Sequence, residues 1–221
     1  MTAAMIVDIV GSRRLRDRAT AQHALDEALA GLAADLPVAT VPLHPIVGDE
    51  MQGVYPDLDA ALSASLLLQL TLPDLVQCRF GIGLGEVGMV PSAAGGISDG
   101  PGWWAARAAI DTVEALAQRT VRSARVRVAA SDDRPDDQIT DEPGDPQAAA
   151  VRRANAYLLA RDELIAAMSE RTRRLTRGRC LGATQAALAA AEGITQSAVS
   201  QALSAGGSAA VVAGYRLLRG A

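Results

Sequence analysis

Three short segments in the first half of the chain combine carboxylates and arginines with turn-forming residues, which suits the binding of metal ions and phosphate groups. The segments are VDIVGSRR (7–14), IVGDEMQG (46–53) and CRFGIGLGEV (78–87). Asp8 lies inside the apolar run of the first segment. Because an unpaired carboxylate is costly to bury, we expect Asp8 to have a cation or a hydrogen-bond donor as its partner.

Carboxylates from the first two segments are candidate ligands of a metal ion. Asp49 and Glu50 follow Gly48 at a turn, and Asp8 would meet them if the first strand and the following hairpin were neighbours in a sheet. Two close carboxylates at a strand end suit Mg²⁺, a hard cation that takes carboxylate and phosphate oxygens together. We therefore predict that Asp8, Asp49 and Glu50 hold Mg²⁺.

The turn after Asp8 is a candidate site for the phosphates of a nucleotide. Gly11 and Ser12 can present free backbone N–H groups, which form an anion-binding concavity. Arg13 and Arg14 follow directly, and their forked guanidinium groups can reach the same anion. These four residues form the predicted nucleotide-binding set.

Each of these features also has a plain structural interpretation. Asp8 could cap a turn, and Asp49 is of a residue type that is common in turns. Glu86 is either a further metal ligand or a residue at a helix start, and Arg79 is more typical of an exposed strand position than of a substrate contact. The tryptophans at 103–104 either stack on a base or close the core or a dimer interface.

The elements that must position these residues follow the order of a split βαβ fold. Hydrophobic patterns predict strands at Met5–Val10, Ala39–Val47, Met51–Tyr55 and Gln77–Leu84, and helices at Ala19–Leu36 and Leu58–Leu72. Pro42 and Pro45 indicate that the second strand is an edge strand or carries a bulge. In this arrangement the first strand neighbours the hairpin, which brings Asp8 and Asp49 side by side.

The following residues add a helix and a strand to that core. We predict a Gly-rich loop over Pro91–Gly102, a helix over Trp103–Arg119 and a half-buried strand over Val121–Ala130. The segment Ser131–Pro146 contains seven acids and three prolines, which is typical of a solvated loop. A long helix at Gln147–Met168 begins a stretch that is helical throughout.

The predicted fold class is α/β, of the α+β type. A ferredoxin-like palm domain with a βαββαβ core, extended by one helix and one strand, precedes an all-helical C-terminal module. We place the palm domain at residues 1–132, an acidic linker at 133–146 and the helical module at 147–221.

A helix-turn-helix pattern occupies residues 184–205, TQAALAAAEGITQSAVSQALSA. Gly193 lies where a tight turn between two helices needs a positive φ. Ile194 would fill the space between the helices, and Thr195 would cap the second helix. Val199 and Leu203 are four residues apart and form the inner stripe of that helix.

Four polar, uncharged side chains would then face outward from the second helix: Gln196, Ser197, Ser200 and Gln201. Together with Thr195 they are the predicted DNA-reading residues, because such a helix can enter the major groove and offer donors and acceptors to base edges. The alternative is an ordinary helical hairpin packed on the body of the protein.

Charge is distributed unevenly along this chain, whose basic residues include no Lys. Residues 1–150 contain 11 Arg and 21 Asp plus Glu, whereas residues 151–221 contain 10 Arg and 4 acids. The basic module would attract a polyanion, because Arg neutralises phosphates and releases counterions. We predict that Arg171, Arg173 and Arg174 contact DNA phosphates, although a charge run can also be a solvated face.

The two cysteines and the apolar runs indicate where the protein works. Cys78 and Cys180 lie far apart without metal-ligand spacing, which favours a reduced cytoplasmic setting. The first residues lack the pattern of a signal peptide, and we find no apolar run long enough for a membrane span. We therefore expect a cytoplasmic protein without membrane contacts.

The order of the three N-terminal segments resembles that of class III nucleotide cyclases and, more distantly, of GGDEF-type palm domains. The resemblance implies that Asp8 and Asp49 replace the two metal-binding aspartates and that Gly11-Ser12 replaces the triphosphate loop. In SDGPGWWAAR (98–107), Arg107 matches the arginine that steadies the transition state, so it is a candidate catalytic residue. Trp103 stands where cyclases have Asn, and the base-selecting Lys has no counterpart.

The chain as a whole is similar to the SatD family of small bacterial proteins. The shared patterns are D-[IV]-x-x-SR at 8–13, GDE-x-Q at 48–52, RFGIG-x-GE at 79–86 and DGP at 99–101. A C-terminal helix-turn-helix completes the resemblance, which covers nearly all of the chain. It implies a palm domain joined to a DNA-binding module.

These features favour a DNA-binding regulatory protein whose palm domain binds a nucleotide or a Mg²⁺-nucleotide. The expected partner is double-stranded DNA, and the expected assembly is a homodimer, because one module of this kind buries too little surface for tight specific binding. The main alternative is a Mg²⁺-dependent nucleotide-processing enzyme of the cyclase type, with DNA binding as a targeting function. A further alternative is a non-catalytic module in which the palm domain only dimerises.

Overall fold

The computed structural model describes residues 1–12, 17–46, 48–92, 95–131 and 145–220, which form seven strands and eight helices. The strands are β1 (Ala3–Ile9), β2 (Val41–Pro45), β3 (Met51–Tyr55), β4 (Cys78–Leu84), β5 (Gly88–Ser92), β6 (Gly95–Asp99) and β7 (Val126–Ala130). The helices are α1 (Arg18–Asp35), α2 (Leu58–Thr71), α3 (Pro101–Arg119), α4 (Pro146–Ala166), α5 (Glu170–Cys180), α6 (Gln185–Glu192), α7 (Gln196–Ala205) and α8 (Ser208–Leu218). The predicted phosphate contacts Arg13 and Arg14, and most of the predicted acidic linker, lie outside these residues.

Five strands form one mixed sheet in the order β2-β3-β1-β4-β7. The central strand β1 is antiparallel to both β3 and β4, and β7 is parallel to β4. This order confirms the predicted split βαβ arrangement and places β1 beside the hairpin. Edge strand β2 shifts its register between Val41 and His44, which confirms the irregularity expected from Pro42 and Pro45.

The sheet buries apolar side chains on both faces, because successive residues of a strand point to opposite sides. On one face, Met5 of β1 and Phe80 of β4 belong to the core formed with α1 and α2. On the other face, Ile6 belongs to a second core with Trp103 of α3. Asp8 is two residues beyond Ile6, so its side chain lies on the α3 face.

Helix α3 approaches β4 closely because two glycines of β4 face it. A Cβ at Gly81 would lie 2.6 Å from the backbone nitrogen of Ile110, and a Cβ at Gly83 would overlap the backbone of Gly102. Both obstacles are main chain, so no side-chain rotation could relieve them. The two glycines therefore set the distance between α3 and the sheet, and with it the position of Arg107.

The prediction of a continuous loop over Pro91–Gly102 is wrong. Strands β5 and β6 form an antiparallel ribbon, and α3 begins at Pro101. The ribbon contains many small residues, so its sequence shows little of the apolar alternation that identifies a half-buried strand. Proline fits the first turn of α3 because the N–H that it lacks would have no helical partner there.

Helix α4 runs along the outer edge of β7 and completes the hydrogen bonds of that edge strand. Asn155 accepts the N–H of Val128 and donates to its carbonyl, both at 2.9 Å. Two turns further on, Asp162 accepts the N–H groups of Arg125 at 2.7 Å and Val126 at 2.9 Å. Side chains of α4 thus form hydrogen bonds with the β7 backbone that a sixth strand would otherwise form.

Asp162 also neutralises a buried arginine. The Arg161 guanidinium lies 3.3 Å from Asp162 and donates to Leu62 O at 3.3 Å and Gln69 Oε1 at 3.5 Å in α2. Both charged residues are 2% exposed. One carboxylate therefore joins the edge of the sheet, helix α4 and helix α2.

The C-terminal helices belong to two apolar clusters. Leu158, Ile165 and Tyr215, from α4 and α8, share the cluster of Phe80 on the α1–α2 face. Helices α5, α6 and α7 close a smaller core, and its buried members are Leu175, Ala189, Val199 and Leu203. Helix α5 thus connects the palm-side helices with the α6–α7 pair.

Both cysteines are buried free thiols. Within the described residues, no helix combines the length and apolarity that crossing a bilayer requires.

Asp162→Asn is expected to lower the free energy of unfolding by about 3–5 kcal/mol, because it leaves the charge of Arg161 buried without a carboxylate. Urea unfolding of wild type and variant measures this loss. Glu163→Gln is the matched control, since Glu163 is the next residue of α4 and is exposed. We expect the control to stay within about 0.5 kcal/mol of wild type, and equal losses in both variants would contradict the proposed role of Asp162.

Candidate functional site

Asp8 is held at the end of β1 by an arginine of the neighbouring strand. Arg79 Nε donates to Oδ1 at 3.0 Å, and Nη2 donates to Oδ2 at 3.2 Å. Arg79 also pairs through Nη1 with Glu114 of α3 at 2.6 Å. The expectation that Asp8 has a cationic partner is confirmed.

The interpretation of Arg79 as an exposed strand residue is wrong, since its side chain is 11% exposed. The β1–β4 register places Arg79 directly opposite Asp8. Aligning the apolar positions of the two strands would have identified this pair, but the sequence alone leaves that alignment open. No sequence pattern indicates Glu114 as a site residue, because only the packing of α3 on the sheet brings it to Arg79.

The hairpin between β2 and β3 brings further charges to the same end of the sheet. Glu50 accepts two hydrogen bonds from Arg107 Nη2, at 2.7 and 2.6 Å, so it faces α3 as Asp8 does. Asp49 precedes it, and its charge acts on Asp8. Among the predicted residues, the structure thus pairs Glu50 with Arg107 and places Asp49 within electrostatic reach of Asp8.

Burial dominates the electrostatics of Asp8. It raises the pKa of this carboxyl above its ordinary value, although the hydrogen bonds and charge of Arg79 lower it, and the charges of Glu114 and Asp49 raise it further. Burial also raises the pKa of Cys78, which the charges of Asp8 and Asp49 raise further. A half-buried carboxyl with a raised pKa beside a specific charge partner, as at Asp8, is a feature of functional sites.

The turn after β1 is open on its outer side. Gly11 has φ +67°, and a Cβ built there would meet no atom of the described residues within 4 Å. The N–H of Val10 donates to Gln77 O at 2.8 Å, which anchors the turn to the residue before β4. Gly11 is exposed and Ser12 half-buried, so this turn leaves space for a phosphate group.

Magnesium, which the cyclase resemblance implies, fits this donor set in part. An ionised carboxylate has about four lone-pair sites, so the two bonds from Arg79 leave acceptor capacity on Asp8. Both oxygens of Glu50 are engaged by Arg107, which disfavours Glu50 as a ligand. Within the described residues, no group of three or more His, Cys, Asp or Glu is arranged to hold a metal, so the structure does not support the predicted site with Asp8, Asp49 and Glu50 as three ligands.

The two tryptophans of α3 have different environments. Trp103 is 7% exposed in the core on the α3 face, as the core interpretation predicts. Trp104 is 63% exposed, and its Nε1 donates to Asp99 at 3.1 Å. Trp103 is therefore a packing residue of that core.

The sequence model of the SatD family matches residues 2–141, which is more than half of the chain. The chain belongs to the SatD family. The matched range includes Asp8, Asp49 and Arg107 and ends before the C-terminal helices. Among curated proteins, none matches the chain.

Several solved nucleotide cyclases are similar to this SatD family member. A bacterial light-regulated adenylyl cyclase shares 16% identity and a TM-score of 0.45, over 59% of this chain and 43% of that chain. The guanylate cyclase domain of RhGC from Catenaria anguillulae in complex with GTP shares 16% identity and a TM-score of 0.39, over 50% and 72%. The adenylyl cyclase CyaB from P. aeruginosa shares 16% identity and a TM-score of 0.36, over 53% and 81%. The match thus spans less than half the length of the light-regulated enzyme.

Beyond the range of the family model, α6 and α7 are joined as the sequence predicts. Gly193 has φ 64° and ψ 33°, in the left-handed region. Thr195 caps α7, with its Oγ1 accepting the N–H of Ala198 at 3.2 Å, and Ile194 packs against the small core. The side chains predicted to point outward are all exposed: Gln196, Ser197, Ser200 and Gln201.

Arg173 needs correction as a predicted phosphate contact. It is 9% exposed, and it donates to Met168 O and Leu72 O, both at 3.2 Å, and to Asp74 Oδ1 at 2.6 Å. These bonds tie α5 to the end of α2. The run of arginines in the sequence hid this inward position, because α5 turns one side of the run toward the palm.

The other two predicted phosphate contacts lie on the outer side of α5 beside α6. Arg174 donates to both oxygens of Glu192 at 2.8 Å. Arg171 is 3.9 Å from the same carboxylate, and its side chain is 61% exposed. Of the three, Arg171 therefore has the side chain most accessible to a polyanion.

Asp8→Asn is expected to raise the melting temperature at neutral pH. A raised pKa in the folded state means that ionising Asp8 costs stability once the pH exceeds the ordinary value of 3.8. The increase in melting temperature that Asn produces should grow as the pH rises through the raised pKa. It should vanish at lower pH, where Asp8 of wild type is protonated in both the folded and the unfolded protein. Thermal unfolding between about pH 3 and pH 7 measures it.

Asp111→Asn, at an exposed position of α3, is the control for that comparison. It should leave the melting temperature nearly unchanged across the same pH range. A lower melting temperature for Asp8→Asn at neutral pH would show that the pair with Arg79 outweighs burial.

Proposed function

We propose that this SatD family member is a DNA-binding regulatory protein whose palm domain binds the phosphates of a nucleotide. The observation that carries the proposal is the exposed, polar and uncharged outer face of α7. The helix that presents this face is capped, and its inner side packs against α5 and α6 through Val199 and Leu203. Residues 184–205 then act as a helix-turn-helix, and residues 147–221 as the DNA-binding module.

The chemistry of the α7 face suits base recognition. Gln196 and Gln201 can donate and accept hydrogen bonds at once, and a bidentate amide contact to adenine discriminates by about 1–3 kcal/mol against the wrong base. Ser197 and Ser200 are small enough to allow close approach to a groove. Arg171 would add a phosphate contact that fixes orientation without reading sequence.

A single α7 helix would bury too little surface for tight specific binding, so the proposal includes a homodimer that presents two such helices. Each copy would read one half-site, and the two half-sites would be about one helical turn apart on the duplex.

Loss of the outward contacts is expected to weaken or relax DNA binding. Wild-type protein should enrich a particular sequence when it selects from a pool of random-sequence duplexes. In the Gln196→Ala variant, the preference for the correct base at one position of that sequence should fall by about 1–3 kcal/mol. Arg171→Ala should weaken binding to all duplexes and reduce the slope of log K against log salt by about 1.

Matched controls come from exposed residues of the palm. Gln22→Ala on α1 and Arg119→Ala on α3 remove the same side-chain types far along the chain from α7. Both should leave the enriched sequence and the salt slope unchanged. The proposal fails if wild-type protein binds no duplex from the pool. It also fails if the control variants lose base preference or salt slope to the same extent as the α7 and α5 variants.

The palm domain supports the nucleotide part of the proposal through its charges. The open turn at Gly11 and Ser12 lies directly beyond Asp8, and Asp49 is close enough to raise the pKa of Asp8. A Mg²⁺-nucleotide would offset the mutual repulsion of the two carboxylates. Arg13 and Arg14 are proposed as additional phosphate contacts.

A second candidate function is a Mg²⁺-dependent nucleotidyl cyclase or transferase. The observation that favours it is Arg107, which α3 brings to the carboxylate end of the sheet through its pair with Glu50. Released from Glu50, Arg107 could stabilise the negative charge that develops on a transferring phosphoryl group. Magnesium would supply charge neutralisation of the polyphosphate, while Asp8 and Asp49 would hold it in position.

Nucleoside triphosphates with Mg²⁺ are expected to raise the melting temperature. At 100 times Kd, binding adds about 2.7 kcal/mol to the free energy of unfolding. Asp49→Asn should abolish the shift, whereas Asp111→Asn should keep it. No shift with any of the four triphosphates would contradict nucleotide binding.

Chromatography of the same incubations separates the two candidate functions. A new nucleotide product that disappears in Arg107→Ala would identify an enzyme. A thermal shift without product would support the regulator.

A further inference from the structure

A cavity of about 240 Å³ lies between the palm and helices α4 and α5. Its lining includes the residues around the start of β4, the residues just before β7, and the end of α4. Cys78 points into the α1–α2 core, whereas Asp8 and Arg79 lie on the α3 face. The cavity and the candidate phosphate site are therefore on opposite faces of the sheet.

One wall of the cavity carries a cation that lacks a carboxylate partner. Arg125 donates to the carbonyls of Arg122 at 2.7 Å and Ala124 at 2.8 Å and to Gln77 Oε1 at 2.8 Å. None of the acids in the described part of the chain forms an ion pair with its guanidinium. Burial lowers the pKa of Arg125, and the charge of Asp162 offsets this only in part.

Asp162 cannot serve as a full counterion to Arg125. Its Oδ2 accepts the backbone N–H groups of Arg125 and Val126. Its Oδ1 accepts from Gln69 and from Arg161, each at 3.3 Å. The carboxylate is thus committed to Arg161 and to the edge of the sheet, so it compensates the charge of the half-buried Arg125 only in part.

A second polar group in the cavity wall has no partner. Ser123 is 9% exposed, and its Oγ makes no hydrogen bond within the described structure. Buried hydroxyls are normally bonded, and leaving one unsatisfied costs stability. Ser123 and Arg125 both line the cavity and are separated by one residue, so one ligand group could satisfy both.

The rest of the lining determines what kind of ligand would fit. The floor is apolar, formed by Leu72, Val76, Ile165 and Met168. The other cavity arginine, Arg173, is already paired with Asp74, so a single positive charge remains to be neutralised. The volume is below the range of about 300–1,000 Å³ that is typical of pockets for drug-sized ligands, so the cavity suits a ligand smaller than a nucleotide.

We propose that this cavity binds a small organic carboxylate with an apolar body. The carboxylate accepts hydrogen bonds from Arg125 and from the Ser123 hydroxyl, and the apolar body covers Leu72, Val76 and Ile165. Such a ligand contacts the sheet, α4 and α5 at once and therefore stabilises the docking of these helices on the palm. The proposal is independent of both nucleotide and DNA binding.

Titration calorimetry and thermal unfolding with benzoate test this site on the full chain. Benzamide has the same shape without charge, and acetate has the charge without the apolar body. Benzoate should bind and raise the melting temperature with concentration, and each comparison compound should bind at least about tenfold more weakly, which corresponds to 1.4 kcal/mol. Equal binding of benzamide, or no heat and no thermal shift with millimolar benzoate, would overturn the proposal.

Two variants locate the binding. Ser123→Ala replaces an unsatisfied hydroxyl, so it should keep the fold and weaken benzoate binding about tenfold. Arg125→Gln should abolish the preference for benzoate over benzamide, whereas Arg122→Gln, at an exposed position just outside the cavity, should keep it. If Arg125→Gln does not fold, Ser123→Ala decides, and unchanged benzoate affinity in that variant would overturn the proposal.

Discussion

The carboxylate of Asp162 is the interaction on which the arrangement of palm and C-terminal helices depends. It accepts two backbone N–H groups from the start of β7 and neutralises the buried Arg161. A single helix, α4, thereby closes an edge of the sheet and contributes to the core on the α1–α2 face. Because these contacts are polar, specific and buried, they fix the position of α4 on the palm. Helix α5 follows α4 and packs against α6 and α7, so the position of α4 also constrains that helix pair.

The sequence predicted the order of the elements well because the palm strands are apolar runs bounded by turn residues. It also predicted the cap at Thr195 and the left-handed turn at Gly193, since both depend on local chemistry. It missed β5 and β6, in which small residues conceal the alternation. It also misplaced Arg173 and Arg79, because their partners Asp74 and Asp8 are 99 and 71 residues away, and local patterns do not report such distances.

Of the predicted site residues on the palm, Glu50 and Arg107 form an ion pair and Asp49 acts on Asp8 through its charge, but the partners of these charges could not be predicted from the sequence. Asp8 is engaged by Arg79, and Glu50 is engaged by Arg107. The protein thus supplies its own cations to both carboxylates. Under the proposed function, a Mg²⁺-nucleotide would bind beside these two pairs and change the balance of charge around them.

The two edges of the main sheet limit how copies of this chain can associate. At one edge, side chains of α4 occupy the hydrogen-bonding positions of β7. At the other, β2 contains Pro42 and Pro45 and an irregular register, which makes it a poor template for a further strand. The two edges therefore disfavour a β-sheet that continues from one subunit into the next. They also disfavour the edge-to-edge polymerisation that such a sheet would allow. In the proposed homodimer, the described residues offer helices and the β5–β6 ribbon as surfaces for pairing.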